Sequence, residues 1–188
     1  MTKPVYRHPH FVIRTAEKRI QKENKRLWLN ITIDKEKDES IVVILKNPSR
    51  ATKDISDKTV FNVTNYIDKN RIKYKQLNNV GSIIILNLIP FYETYSDLLV
   101  TSNVNIIDNE NFKTIKKLTK KHAHVIVAWG DCPKGLYSEY EVLKNTIISY
   151  LKANNNKVYY VDKLSKSGNP KHGQIWGYDN YLLPFKID

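Results

Sequence analysis

The feature that most constrains the fold is an uninterrupted apolar run at residues 41–45, Ile-Val-Val-Ile-Leu, which leads directly into Lys46-Asn47-Pro48-Ser49. The run is too short for a helix, and its continuity is typical of a strand that is buried on both faces. Pro48 has no amide hydrogen to donate to a neighbouring strand, so we expect the strand to end before it. In open α/β sheets ligands bind at the carboxyl ends of strands, so the sequence predicts a ligand site that begins at Asn47.

Further apolar runs alternate with segments of helical periodicity along the chain. Residues 82–90 repeat the first pattern, because an apolar strand again ends in an asparagine, Asn87, with a proline shortly after it. Strands that alternate with helices predict a single α/β domain with a mostly parallel central sheet. Either Ser56 or Asp57 is positioned to cap the first helix. The other predicted strands are residues 123–130 and 157–161, and the predicted helices are residues 60–67, 105–121 and 137–151.

The N-terminal part of the chain carries a weaker pattern. Residues 1–26 are basic and irregular, and we expect them to form an extension to a domain that occupies residues 27–188. Apolar and polar residues alternate over residues 27–34, which is typical of a strand with one solvated face. The charged stretch 34–40 predicts a turn before residues 41–45, so the two strands are expected to pair as a hairpin.

The strongest bulk property is charge, because 31 lysine and arginine residues against 19 aspartate and glutamate residues give a formal net charge of +12. Either the lysines form a solubilising surface, or the protein binds a polyanion, of which nucleic acid is the simplest. No apolar run approaches the ~20 residues that a membrane-spanning helix needs, so we expect no membrane partner. The one cysteine, Cys132, leaves no internal disulfide and fits a cytoplasmic protein.

Polar side chains are expected to meet at one edge of the predicted sheet. Asn47 and Asn87 end two buried strands, and His172 stands in a loop after the last one. An asparagine amide offers a donor and an acceptor together, as a base edge requires, and a neutral imidazole can donate to a developing oxyanion. Asp54 and Asp57 either serve a metal ion or water, or are solvated loop charges. With no glycine-rich phosphate loop and no cysteine or histidine pair at metal spacing, we predict neither a metal nor a cofactor.

Five short motifs follow one another along the chain, and they are Asn47-Pro48-Ser49, Asp57-Lys58-Thr59, Asn87-Leu88-Ile89-Pro90, Trp129-Gly130 and Gly168-Asn169-Pro170-Lys171-His172. Their order resembles a bacterial and phage domain family of unknown function, over roughly residues 27–185. One departure is Gly173, where that family usually has proline. More distantly, the same order is similar to the uracil-DNA glycosylase superfamily, which implies a single-domain three-layer sandwich with a mostly parallel sheet.

The resemblance to the glycosylases implies a role for each matching residue. Asn47 would position the attacking water, Asn87 would read the flipped base, and His172 would stabilise the leaving anion. Ser49 replaces a bulky tyrosine of the best-known branch, so loose discrimination against thymine is expected. Asn47 replaces an aspartate and cannot act as a base, so slow turnover is expected. The resemblance also implies substrate contacts from Pro48, Ser49 and Phe61, and a wedge that enters the duplex, formed by Gln174, Ile175 or Trp176.

The sequence leaves three functions open. The first is a monofunctional uracil-DNA glycosylase, a cytoplasmic monomer that acts on single- or double-stranded DNA without a metal or cofactor. The second is a catalytically silent DNA-binding protein that serves a mobile genetic element. The third is an enzyme that acts on a nucleotide or another small molecule in the same cleft. Each function predicts a different observation. A glycosylase releases the base from DNA, and a silent DNA-binding protein binds DNA in a salt-dependent way without base release. An enzyme that acts on a nucleotide binds free nucleotides.

Overall fold

The computed structural model describes residues 6–93 and 105–187, which form one seven-stranded sheet with three α-helices. The predicted α/β class is confirmed. The strands are β1 (Arg14–Ile20), β2 (Lys25–Thr32), β3 (Glu39–Leu45), β4 (Val80–Asn87), β5 (His124–Val127), β6 (Lys157–Val161) and β7 (Leu182–Pro184). The helices are α1 (Lys58–Asn70), α2 (Asn109–Lys121) and α3 (Tyr137–Ala153).

The strands follow the order β1-β2-β4-β3-β5-β6-β7 across the sheet. β3 pairs in parallel with β4 and β5, and β5 pairs in parallel with β6. The outer pairings, β1 with β2, β2 with β4 and β6 with β7, are antiparallel. The prediction of a mostly parallel sheet is therefore wrong, and the sheet is mixed. A short turn that ends at Asn24, with φ of 48°, joins β1 to β2 and makes their pairing antiparallel.

The position of β2 also differs from the sequence prediction. β2 lies between β1 and β4, whereas β3 lies between β4 and β5, so the predicted hairpin between residues 27–34 and 41–45 is wrong. β4 lies between these two strands. The turn before β3 packs directly against the backbone of Gly81 in β4. A Cβ at Gly81 would lie 2.0 Å from the carbonyl oxygen of Lys37. Residues 14–20 of the predicted N-terminal extension belong to the sheet as β1.

β3 is buried on both faces, as its continuous apolar sequence predicts. Ile41, Val43 and Leu45 belong to the core on the side of α1, whereas Val42 and Ile44 belong to the core on the side of α2 and α3. Burial of each such side chain stabilises the fold by about 1.5–3 kcal/mol. Helices therefore cover both faces of the sheet, and the segment after Leu45 leaves the core at the carboxyl end of the central strands.

The beginning of α1 is fixed by the predicted cap, Asp57. One carboxylate oxygen of Asp57 accepts a hydrogen bond from the backbone N–H of Val60 at 2.9 Å, as an N-cap residue does. The other oxygen accepts from the backbone N–H groups of Arg50 and Ala51, at 3.3 and 3.2 Å. Asp57 therefore joins the segment that follows Pro48 to the first turn of α1, and this brings the end of β3 next to the helix N-terminus.

Candidate functional site

A cavity of about 620 Å³ opens at the carboxyl end of β3. Its wall is formed by the segment after β3, by the first turn of α1 and by the turn that follows His172. Of the residues that the sequence predicts for the site, the cavity brings together Asn47, Pro48, Ser49, His172, Gln174 and Ile175. Of the three strand or loop ends that the sequence predicts to converge at one cleft, those of Asn47 and His172 line the cavity and that of Asn87 does not.

The Trp129-Gly130 motif positions the loop that carries His172. The backbone N–H of Gly130 donates to the carbonyl oxygen of Pro170 at 2.9 Å, and Gly130 has a φ of +68°. A Cβ at Gly130 would lie 3.1 Å from the Cβ of His172, so the two backbones approach closely only because this residue is glycine. Trp129 itself is buried in the core against Phe185, so its contribution is packing.

The imidazole of His172 is held in one orientation and is neutral. Its Nδ1 accepts a hydrogen bond from the backbone N–H of Gln174 at 3.3 Å, at the start of the short 3₁₀ helix Gly173–Ile175. Burial, together with the cation of Lys46, lowers the pKa of His172 to about 4, although the carboxylate of Asp57 opposes the shift. An imidazole whose Nδ1 accepts carries its proton on Nε2, so His172 can donate one hydrogen bond to a ligand without being charged.

Gly173 packs the turn after His172 against α1. A Cβ at this position would lie 2.6 Å from the Cγ2 of Val63 and 3.4 Å from the Cδ2 of Leu45. Proline has a Cβ, so it would meet the same obstacle. Gly173, where the family that the chain resembles usually has proline, therefore lies where the His172 turn closely approaches α1.

The amide of Asn47 is oriented by two backbone carbonyls. Its Nδ2 donates to the carbonyl oxygens of Pro48, at 3.0 Å, and Glu93, at 2.6 Å. Both amide hydrogens are thereby used, and the Oδ1 of Asn47 accepts no hydrogen bond from any residue that the structure describes. Asn47 therefore offers a ligand or a water molecule an acceptor, and not a donor.

Three of the predicted site residues do not line the cavity. Asn87 is 1% exposed, and its Oδ1 accepts from Arg26 at 3.2 Å. Phe61 lies beside Tyr6, with ring centroids 5.8 Å apart, and it is Tyr6 that lines the cavity. Trp176 is 4% exposed and packs against Tyr66, so it is part of the core and not available to enter a duplex. The rim positions are held instead by the exposed residues Gln174 and Ile175.

Sequence reasoning missed Arg26, which lines the cavity although it is only 1% exposed. Its Nη1 donates to the carbonyl oxygen of Ala51 at 2.7 Å, and its Nη2 donates to Asn87. Within residues 6–93 and 105–187 it forms no salt bridge. The residue stands at the start of β2, in a segment that reads as a basic extension. Nothing in the sequence separates Arg26 from the other basic residues of this segment, because its burial depends on the pairing of β2 with β4.

Other candidate chemistry finds little support in the structure. Cys132 lies outside the cavity wall, and burial raises the pKa of its thiol, which opposes a nucleophilic role. Asp54 is exposed and pairs with Lys53. In the described part of the chain, no group of three or more His, Cys, Asp or Glu side chains is arranged to hold a metal ion. No helix among the same residues has the length and apolar character needed to cross a membrane.

Comparison with protein families gives a match over most of the chain. The model of a family described as "Protein of unknown function (DUF1643)" matches residues 25–173. The chain belongs to this family. The predicted membership of a family of unknown function is thus confirmed, whereas the more distant relation to the glycosylases stays a prediction. The matched segment of this DUF1643 member includes Arg26, Asn47 and His172.

Neither the search of curated proteins nor the search of solved structures found a match to the chain.

Proposed function

We propose that the protein is a uracil-DNA glycosylase, which rotates a uracil nucleotide out of DNA and hydrolyses its N-glycosidic bond to leave an abasic site. The observation that carries the proposal is the joint presence of Asn47 and His172 on the wall of one cavity. Asn47 offers an acceptor and the neutral His172 offers a donor, which are the two groups that hydrolysis of this bond requires. Helices on both faces of parallel central strands are compatible with the sandwich of that superfamily.

The donor serves the leaving group. In the reaction the C1′–N1 bond breaks, and its electron pair moves into the uracil ring, where negative charge develops on the carbonyl oxygens. The Nε2–H of His172 donates to one of these oxygens, and a hydrogen bond to a developing negative charge is stronger than one to a neutral carbonyl. Because His172 is neutral before the reaction, its bond to uracil strengthens as the charge develops.

The acceptor serves the water molecule. The Oδ1 of Asn47 accepts a hydrogen bond from the water molecule. This bond holds a lone pair of the water oxygen toward C1′, where the new C1′–O bond forms. Asn47 is not a base, so the water's proton passes to solvent after the bond has formed. An enzyme of this design stabilises charges and orients water, and its turnover is slower than that of an enzyme with a carboxylate at this position.

DNA binding is supported by charge and by the rim of the cavity. The net charge of +12 supplies contacts with phosphates that weaken as the salt concentration rises. Ile175 is 64% exposed at the rim, and such a side chain can fill the space that an extruded base leaves in the stack. Extrusion of a paired base costs a few kcal/mol, which these contacts offset. Ser49 leaves room beside the base, so thymine is expected to be rejected weakly.

The proposal is tested with a labelled oligonucleotide that contains one uracil, with scission by alkali as the readout. Wild-type protein is expected to yield strand breaks at the uracil, and His172→Ala to release the base about 10²–10³-fold more slowly. His10→Ala is the matched control, since His10 is exposed and lies outside the cavity wall. Absence of alkali-labile ends with wild-type protein would contradict the proposal. Equal rates for all three proteins would remove His172 from its role.

One observation favours a second candidate, an enzyme that acts on a free nucleotide. Arg26 is a buried guanidinium on the cavity wall, and guanidinium groups commonly bind phosphate. In that case deoxyuridine monophosphate would bind to the protein and long DNA would not compete with it. For a glycosylase the reverse is expected, because most of the affinity comes from the phosphates of the strand.

A further inference from the structure

The buried wall of the cavity holds a cation for which the proposed reaction has a use. We infer that the guanidinium of Arg26 binds one of the carbonyl oxygens of uracil, which gain negative charge as the glycosidic bond breaks, and that Asn87 holds Arg26 in position. The identity of the bound base rests on the proposed function. The sequence predicts that Asn87 contacts the base, whereas in the structure Arg26, which Asn87 contacts, is the residue placed to do so.

Arg26 is a buried cation with no carboxylate in direct contact among the described residues. It is 1% exposed, and burial lowers the pKa of its guanidinium, although Tyr92 and the carboxylates of Asp57 and Glu17 oppose the shift. Asp57 and Glu17 act on the guanidinium only from beyond salt-bridge distance. A buried guanidinium that no carboxylate contacts destabilises the fold, so its presence on a cavity wall points to an anionic ligand group that completes the pair.

The guanidinium of Arg26 has more hydrogen-bond donors than its two acceptors, Ala51 and Asn87, use. A guanidinium has five N–H donors and no acceptor. Ala51 accepts from Nη1 and Asn87 accepts from Nη2, whereas Nε is buried and has no partner among the described residues. A ligand that meets Arg26 must therefore present acceptors. The carbonyl oxygens of uracil satisfy this requirement, and the amino group of cytosine does not.

The cavity wall carries an excess of positive charge, because four cationic residues line it and only two acidic residues do. The cations are Arg26, Lys46, Arg50 and Lys58, and the carboxylates are Asp57 and Glu93. Because His172 is neutral, it supplies a hydrogen bond and no net charge. Of the four cations Arg26 is the only one that is buried, so it is the least screened by water and acts most strongly on a bound anion.

Asn87 acts on the ligand only through Arg26. Its Oδ1 accepts from Nη2 of Arg26, and its carbonyl oxygen accepts from the Nδ2 of Asn111 at 2.9 Å, which fixes the end of β4 against α2. An aspartate at position 87 would have the same shape and would place a negative charge against the guanidinium. Asn87→Asp therefore neutralises Arg26 without removing it and serves as the second variant if Arg26→Gln does not fold.

The test is a calorimetric titration with free 5-fluorouracil, a base that ionises readily, at one pH below its pKa and one above it. Wild-type protein is expected to bind the anionic base at least ~10-fold more tightly than the neutral base, from one charge-assisted hydrogen bond. Arg26→Gln and Asn87→Asp are expected to lose this preference, and Arg26→Lys to retain part of it. Lys117→Gln removes an exposed charge from α2 and is expected to retain all of it.

Equal binding of both forms by the wild type, or an unchanged preference in the folded variants, would overturn the inference. Stronger binding of inorganic phosphate than of the anionic base, lost in Arg26→Gln, would also overturn it, because the site would then be a phosphate site. The titration requires no bond cleavage. A protein that shows the Arg26-dependent preference but releases no uracil from DNA would refute the proposed function and retain the anion site.

A kinetic readout separates stabilisation of the leaving group from a structural role. If Arg26 stabilises the departing anion, Arg26→Gln is expected to slow release of uracil more than release of 5-fluorouracil, which is the better leaving group. The rate of 5-fluorouracil release divided by the rate of uracil release is expected to rise at least ~10-fold in the variant. A variant that slows both substrates equally would assign Arg26 to folding or to binding and would overturn its role in the reaction.

Discussion

Gly130 lies so close to His172 that a Cβ on the glycine would be 3.1 Å from the Cβ of the histidine. This contact, and the hydrogen bond from Gly130 to Pro170, fix the loop that carries the imidazole against the end of β5. The Trp129-Gly130 motif therefore acts on the cavity through the backbone and not through a side chain that meets the ligand.

Gly130→Ala is expected to lower both stability and activity. The φ of +68° costs an alanine about 1–2 kcal/mol, and the new methyl group displaces His172. Gly168→Ala is the matched control, since Gly168 has a φ of +76° but no atom within 4 Å of the added Cβ. Urea unfolding should give a similar loss of stability for both variants, whereas base release should fall in Gly130→Ala only. Equal activity of the two variants would contradict the positioning role.

Gly173→Ala is expected to push the His172 turn away from α1, because the added Cβ would lie 2.6 Å from the Cγ2 of Val63. Overpacking of this kind typically costs about 1–3 kcal/mol. Val63→Ala removes the obstructing methyl groups, so the double variant should be more stable than additivity of the two single changes predicts. Thermal unfolding of the four proteins measures this coupling, and strict additivity would show that the two residues do not meet.

Asp57→Ala is expected to destabilise the fold through loss of the α1 cap. Asp57 accepts hydrogen bonds from three backbone N–H groups, of Arg50, Ala51 and Val60. The free energy of unfolding should fall by about 1–3 kcal/mol. Asp54→Ala removes an exposed carboxylate that contacts only Lys53 in the described structure, and its effect should stay within about 0.5 kcal/mol. Similar values for both variants in urea unfolding would remove the cap from this role.

The low pKa of His172 sets the pH dependence of the protein. Its folded-state pKa of about 4 lies below the ordinary value of 6.5, so the unfolded chain binds the proton more tightly in this interval. Stability is therefore expected to fall as the pH is lowered through this interval, and this part of the fall should disappear in His172→Gln. An NMR titration of the imidazole of His172 should show a midpoint near 4, and a midpoint near 6.5 would contradict the lowered pKa.

Activity is expected to follow the neutral form of the same residue. Base release should remain nearly constant from about pH 8 to about pH 5 and fall only below that, because protonation of Nδ1 breaks its hydrogen bond with Gln174. A rate that rises as the pH falls through the ordinary range of histidine would indicate that a charged imidazole performs the reaction instead.

The sequence predicted those features that depend on local pattern. The apolar run of β3 requires burial on both faces, and Pro48 requires the strand to end, so the position of Asn47 on the cavity follows from residues close together in the chain. Capping of α1 by Asp57 is local in the same sense. His172 reaches the cavity because the loop after β6 returns to the carboxyl end of the parallel strands, as a sheet with this topology requires.

The features that the sequence did not predict depend on strand pairing between distant segments. Insertion of β4 between β2 and β3 brings Arg26 to the cavity and turns the amide of Asn87 toward that guanidinium. Hydrophobic periodicity does not specify which strands become neighbours, so Arg26 read as part of a basic extension. The resemblance implies a substrate contact from Phe61, yet the packing of the N-terminal segment places Tyr6 at the cavity instead.

Glycosylase activity is measured most directly in a single turnover on DNA that contains one uracil, with the identical strand that contains cytosine as the reference. Released base and alkali-labile ends are both quantified. The wild-type protein should release uracil stoichiometrically, and His172→Ala should do so about 10²–10³-fold more slowly. No release of uracil by a wild-type protein that binds the DNA would show that the protein is not a uracil-DNA glycosylase.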